Sequence, residues 1–260
     1  MPFTVSHIAA VLPAHRPLTR AHVFTAAVIG SMVPDFGLLL PGSLARWETH
    51  GIMALFTFCL PLGLTAYWLT LLLIRPAMLE VVPDGAYLRL RAGHPPASIA
   101  RLSAWLRAAA ALLLGAITHL IWDAFTHENA RGVRMLPLLT DYGPEMSGHP
   151  LHLYRWLQYG SSLLGLAVVV AALIVWWRHA PAPAEPPPRR LGRRERVLWL
   201  CVYVLPSLLI TAWGLTHSGP RGLSPLSNGM ALGYVSVLGM RSAAASLVLI
   251  SAAIRARLAV

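Results

Sequence analysis

Six apolar runs, at about residues 21–40, 50–74, 108–127, 157–177, 197–216 and 230–254, leave this 260-residue chain few ways to fold. Each is close to the roughly 20 residues that a helix rising ~1.5 Å per residue needs to cross the hydrocarbon core of a bilayer. Within that core backbone polar groups must be satisfied inside the segment, which continuous helices do. With 12% charged residues and a mean hydropathy of +0.60, the chain is also far from the soluble pattern of about 25% charged. The expectation is an all-α, polytopic transmembrane helical bundle of about six spans, or five if the first apolar segment is re-entrant. Pro34-Asp35 in the last third of that segment and Pro41-Gly42 at its end make it a marginal span.

All 21 basic residues are Arg, and most sit in the short stretches between apolar runs. Membrane topology accounts for them, so the net charge of +11 does not call for a nucleic-acid partner. With the N-terminus inside, the cytoplasmic segments hold Arg16, Arg20, the five Arg from Arg75 to Arg107, the six from Arg178 to Arg196, and Arg255 and Arg257. The outer side holds Arg46, Arg131, Arg134, Arg155 and Arg221, with Arg241 as a further candidate. This bias predicts a multi-pass cell-membrane protein with both termini cytoplasmic and membrane lipid as its surrounding partner; protein partners are not legible.

The stretch before the first run reads as a retained segment, since Arg16 and Arg20 follow its apolar residues and do not precede them as in a cleavable signal. Phe3 to Leu12 reads as a short interfacial or re-entrant helix closed by Pro13. Residues 75–107 read as a polar, turn-rich cytoplasmic loop, and 178–196 as a stiff, basic, Pro-rich linker. Three parts follow: a membrane domain over 1–177, the linker 178–196, and a C-terminal transmembrane helix pair over 197–260. Cys59 and Cys201 lack C-x-x-C partners and read as packing residues.

The chemistry concentrates in GAITHLIWDAFTH, residues 115–127, where His119, Asp123 and His127 recur every four residues. On a helix they share one face. A carboxylate inside an apolar span costs roughly 2.5–3.5 kcal/mol on insertion scales, so it needs a partner. Asp35 and Asp123 are the two of ten acidic residues that fall within apolar runs, and no Arg lies near them in those runs. Histidine, water or a metal ion remain as partners. Under the six-span topology Asp35, His50, His119 and Asp123 lie at one depth in the outer half, which points to a shared divalent cation. His-plus-carboxylate sets suit zinc best, with manganese or iron next. His7 or His127 would complete the shell or move protons. Six full spans leave His7 on the opposite side, and it joins the others only if residues 21–40 dip in without crossing.

The segments MPFTVSHIAAVLP, GSMVPDFGLLLPG, THGIMALFTFCLPLGL, LLLGAITHLIWDAFTH and LQYGSSLLGL, over about the first 180 residues, resemble a bacterial membrane-protein family catalogued as domain of unknown function 4184. That family is similar to membrane-bound proteins classed as metal-dependent hydrolases, and more remotely to zinc-dependent phospholipase C. The resemblance implies His7, Asp35, His50, His119 and Asp123 as the metal-binding set and a bacterial inner-membrane location. The hydrolase relatives carry H-R-G-x-T-H-S, of which Arg46 to Gly51 keeps Thr49-His50. The reading that follows is hydrolysis of a phosphoester or another lipid-linked ester by a metal-activated water, with His127 or Glu128 as general base. The competing class is a non-enzymatic ion or proton transporter, or a scaffold, in which the buried aspartates carry protons or hold helices together.

Overall fold

A computed structural model describes residues 4–40, 44, 46–92, 101–146, 149–180, 191–217 and 229–259. Pro41-Gly42, Phe3, Arg221 and all five prolines of the basic linker, used above, lie outside the described residues. The chain opens with a 3-10 helix, Thr4–Ala14, that runs into α1 (His15–Arg20) and turns into α2 (Phe24–Gly30). A second 3-10 helix, Val33–Leu39, and the short α3 (Arg46–His50) follow. The long helix α4 (Leu55–Val81) contains π-helical turns at Leu55–Cys59 and Thr70–Ile74. Next come α5 (Asp84–Ala92), α6 (Leu102–Thr126) and α7 (Arg131–Met135). A small antiparallel hairpin, β1 (Tyr142–Met146) with β2 (His149–His152), leads into α8 (Leu153–His179). The chain ends with α9 (Arg193–His217) and α10 (Gly229–Ala259).

Five helices among the described residues are long and apolar enough to cross a membrane: α4, α6, α8, α9 and the Tyr234–Ala259 part of α10. The protein is an all-α membrane bundle, and the first apolar segment is not one of its spans. Residues 21–40 break into α2 and a 3-10 helix because Pro34 has no N–H to give to the Gly30 carbonyl four residues back, where α2 ends. Three local expectations also change. Pro13 lies inside the first 3-10 helix and does not close it. The second run begins as a span at Leu55, leaving His50 in α3, and extends to Val81. The stretch read as a loop from Arg75 contains the end of α4 and all of α5.

The chain divides into two compact units, one made of Met1–Gly37, Leu44–Thr65 and Ala97–His179, the other of Leu38–Ser43, Ala66–Pro96 and Ala180–Val260. In the second, Ala77, Val81, Leu191, Ile250 and Ile254 form a core, and Tyr203 shares a 2.8 Å hydroxyl hydrogen bond with Ser251. Arg241, inside α10, donates to the carbonyls of Leu38 and Leu40, each at 2.7 Å, which satisfies a cation that an apolar span would otherwise strand.

In the first unit Val33, Leu55, Cys59 and Ala116 are buried together. The α2–α6 crossing is tight enough to exclude side chains from both helices. A Cβ built on Gly115 would collide with the Ala27 carbonyl and the Ser31 nitrogen, and one on Gly30 with the Leu112 carbonyl. Small residues at a crossing let backbones approach closely, which is how helices associate where lipid removes the hydrophobic drive between them. Gly115→Ala is therefore expected to lower the thermal midpoint in detergent, at a cost of about 1–3 kcal/mol. Gly160→Ala in α8, where a Cβ would meet nothing within 4 Å, should leave it unchanged.

Candidate metal centre

The tight crossing delivers the first contact of the site. On α6, His119 and Asp123 fall on the buried face, 0% and 2% exposed, one turn apart. The 3-10 hairpin arms bring His7 and Asp35 to them, and α3 brings His50. His7 Nε2 lies 3.6 Å from Asp123 Oδ1, and His119 Nε2 lies 3.5 Å from Asp123 Oδ2 and 3.7 Å from Asp35 Oδ1. His50 Nε2 is 3.4 Å from Asp123 Oδ2 and 3.5 Å from Asp35 Oδ1. The rings of His7 and His119 stack at 3.8 Å.

The hydrogen bonds around the cluster fix which nitrogens face inward. His119 Nδ1 is 2.8 Å from the Ser31 carbonyl, which can only accept, so Nδ1 carries the proton and Nε2 keeps its lone pair. Thr49 Oγ1 stands 2.7 Å from His50 Nδ1, so that nitrogen is engaged outside the cluster and Nε2 is the one turned to the carboxylates. Burial holds His7 in its neutral form, its pKa lowered to about 4. His7, His50 and His119 Nε2 and Asp123 Oδ1 are all buried without a hydrogen-bond partner. Unsatisfied polar atoms in a dry site are costly, and four at one point require a common answer.

A cation fits that requirement. Two ligand atoms ~2.0–2.1 Å from a tetrahedral ion stand about 3.3 Å apart, close to the 3.5–3.7 Å that separate Asp123 Oδ1 from His7 Nε2 and Asp35 Oδ1 from His50 and His119 Nε2, and those separations are too long for good hydrogen bonds. The triplets His7–His119–Asp123 and Asp35–His50–His119 each have ligand atoms within 4.8 Å of one another. Both use His119, whose single free lone pair serves one ion. The Ser31 and Thr49 contacts are the outer hydrogen bonds that orient ligating imidazoles. The cluster could hold a metal ion.

Two partners of Asp123 lay beyond the sequence reading. Arg46 Nη2 donates to Asp123 Oδ2 at 2.8 Å, so the expectation that only histidine, water or metal would meet the buried carboxylates is corrected. Arg46 is 77 positions away, and proximity along the chain was the wrong criterion. The second is indirect. Arg155 approaches Gln158 Oε1 at 3.5 Å and so turns the amide nitrogen of this buried residue to His127 Nε2, at 3.0 Å. An Nε2 that accepts leaves the proton on Nδ1, which sits 3.4 Å from Asp123 Oδ2. Burial lowers the His127 pKa to about 4, which keeps that ring neutral. Glu128 is exposed in the turn after α6 and makes no contact with the cluster among the described residues. The one advance signal for Gln158 was a lone amide at the start of an apolar run.

The family model described as Domain of unknown function (DUF4184) matches residues 1–252, beyond the roughly 180 residues of the resemblance, and the chain belongs to that family. No curated protein and no solved structure matches it.

If one ion is shared, His119→Ala and Asp123→Ala should each remove most bound metal, and the double variant should lose little more, because members of one network are not additive. Trp122→Phe, which gives up a 3.1 Å bond to Ser161 on the exposed side of α6, should keep the metal. Elemental analysis of detergent-purified protein reads all four.

Proposed function

We propose that this member of the DUF4184 family is a metal-dependent membrane hydrolase that cleaves an ester with water. Zinc is the ion; His7, His50, His119 and Asp123 are its ligands, and Asp35, the fifth residue of the expected set, stands beside them. The observation that carries the reading is the convergence of three bare imidazole nitrogens and one unanswered carboxylate oxygen in a buried site. Imidazole nitrogens with carboxylate oxygens suit zinc, then manganese or iron, ahead of the hard cations magnesium and calcium. A divalent ion bound there supplies Lewis acidity, polarising an ester oxygen and making a water more acidic.

The chain's own residues divide the remaining work. Arg46 holds Asp123 Oδ2 at 2.8 Å, which leaves Oδ1 to the ion. His127 is not the general base in this reading, because Gln158 already occupies its acceptor nitrogen. Asp35 is the more open carboxylate, 13% exposed against 3% for Asp123, and Thr4 donates to its Oδ2 at 2.7 Å. We assign it to take the proton from water, which then passes to the departing alkoxide oxygen as the ester bond breaks. The Arg bias keeps 178–196 in the cytoplasm and puts the cluster in the outer half. Five crossings then leave the N-terminus outside, in place of the two cytoplasmic termini of a six-span chain. Reporter fusions near Arg194 and near Asp141 should report opposite faces.

A proton or ion transporter is the competing class, and the Arg46–Asp123 pair favours it, since a carboxylate neutralised by guanidinium can serve without metal. Purified protein in detergent separates them. The hydrolase predicts near-stoichiometric zinc and chelator-sensitive cleavage of p-nitrophenyl esters with no gradient, whereas the transporter predicts flux in sealed vesicles only. Asp35→Asn should lower turnover at least ~100-fold, the scale of a lost general base, while keeping more zinc than Asp123→Asn.

A further inference from the structure

Beside the cluster, within the same unit, lies a cavity of about 480 Å³ with His50 and Asp123 in its wall. That volume suits a headgroup or small molecule and not a polymer. Arg46, Arg131 and Arg134 line it, against a single carboxylate, Asp123. Arg46 is engaged by Asp123 at 2.8 Å, and Arg131 and Arg134 have no carboxylate partner among the described residues. Arg134 donates Nη1 to the Asn129 carbonyl at 2.8 Å, a neutral acceptor that fixes its place without cancelling its charge. Arg131 is exposed on the next turn.

Apolar groups form the rest of the surround. Trp47 and Ile52 line the cavity and are 76% and 57% exposed, and neighbouring Met53 is 71% exposed. An aromatic and two large aliphatic residues standing out beside arginines in a membrane protein is the arrangement of a lipid–water boundary. A neutral ester gives the two free arginines nothing to bind, and a carboxylate or phosphodiester supplies one negative charge. A phosphomonoester carries nearly two at neutral pH and offers several oxygens to guanidinium forks.

The geometry points to this cavity as the seat of the phosphomonoester head of a membrane amphiphile, with its chain leaving past Trp47 and Ile52. The assignment rests on the hydrolase reading, and it names the ester presented to the metal centre.

The test uses full-length protein in phosphatidylcholine nanodiscs, with zinc content measured beforehand. Hexadecylphosphonic acid, whose C–P bond resists hydrolysis, is titrated by calorimetry at an alkaline pH that makes it a dianion, against its monomethyl ester, with one charge, and methylphosphonic acid, with no chain. The dianionic amphiphile should bind at least about tenfold more tightly than either, the scale of one lost hydrogen bond to a charged group. Arg131→Gln should weaken it about tenfold, Arg131→Lys should restore part of that loss, and Arg134→Gln should behave like Arg131→Gln, with zinc content unchanged in all three. Equal binding of methylphosphonic acid would mean a free-phosphate site and would overturn the amphiphile assignment. Equal binding of the monomethyl ester, or unaltered affinity in Arg131→Gln, would overturn the phosphomonoester assignment. A zinc-loaded wild type that ignores all three ligands overturns the cavity assignment alone. A zinc-free wild type with Arg131-dependent binding overturns the hydrolase reading and leaves the cavity assignment standing.

Discussion

The Asp123 carboxylate governs the arrangement of the first unit. It is 2% exposed on a helix that is apolar enough to cross a membrane, where an unanswered carboxylate costs roughly 2.5–3.5 kcal/mol. Segments far apart in the chain meet around it: the opening 3-10 helix through His7, α3 through Arg46 and His50, and the end of its own helix through His127. The answer is uneven. Oδ2 receives a charged donor at 2.8 Å and lies near three imidazoles, while Oδ1 receives no hydrogen bond. A polar network that is only partly satisfied is a liability in a dry interior. A cation at Oδ1 would complete it, as the proposed function requires.

The scaffold serves that carboxylate through contacts that carry no charge. Gly30 and Gly115 allow α2 and α6 to touch backbone to backbone, and this contact sets the Ser31 carbonyl against His119 Nδ1. Without the close approach His119 would keep its position on the helix but lose the acceptor that decides its tautomer. Pro34 acts in the same direction. By ending the first apolar segment as a helix it makes the chain turn at the depth of the cluster, so Asp35 and His7 arrive together on arms of one hairpin. Irregular backbone at membrane depth is tolerated where protein surrounds it, and Val33 and Pro34 are indeed buried.

The parts of this design that depend on local spacing were legible in the sequence. The four-residue interval from His119 to Asp123 to His127 is a property of one helix, and the apolar runs that became α6, α8, α9 and α10 follow from length and composition. His7 and Asp35 were harder, because their approach depends on whether residues 21–40 cross, and a run of apolar side chains with one proline fits either outcome. Arg46 and Gln158 were not legible. An arginine in R-W-E-T-H reads as a loop charge, and an amide in L-Q-Y-G-S-S as the edge of a span. Both acquire their meaning from tertiary approach to one oxygen and one imidazole, which no periodicity encodes. His127 was legible only in part: its place on the helix face follows from spacing, whereas its contact with Gln158, 31 positions away, does not.

Arg46 joins the two halves of the reading. Its guanidinium is bonded to Asp123 Oδ2 and also forms part of the cavity wall. A cation at Oδ1 and a guanidinium at Oδ2 draw on the same carboxylate charge, so each weakens the other's hold. An anion in the cavity gives Arg46 a second partner and relieves that competition, leaving more of the carboxylate's charge to the cation. If both ligands bind as proposed, they favour one another through a single side chain, and by linkage the effect on affinity is equal in both directions. A guanidinium suits this position better than an ammonium, because its several donors on a planar fork can serve a carboxylate and a phosphate oxygen together.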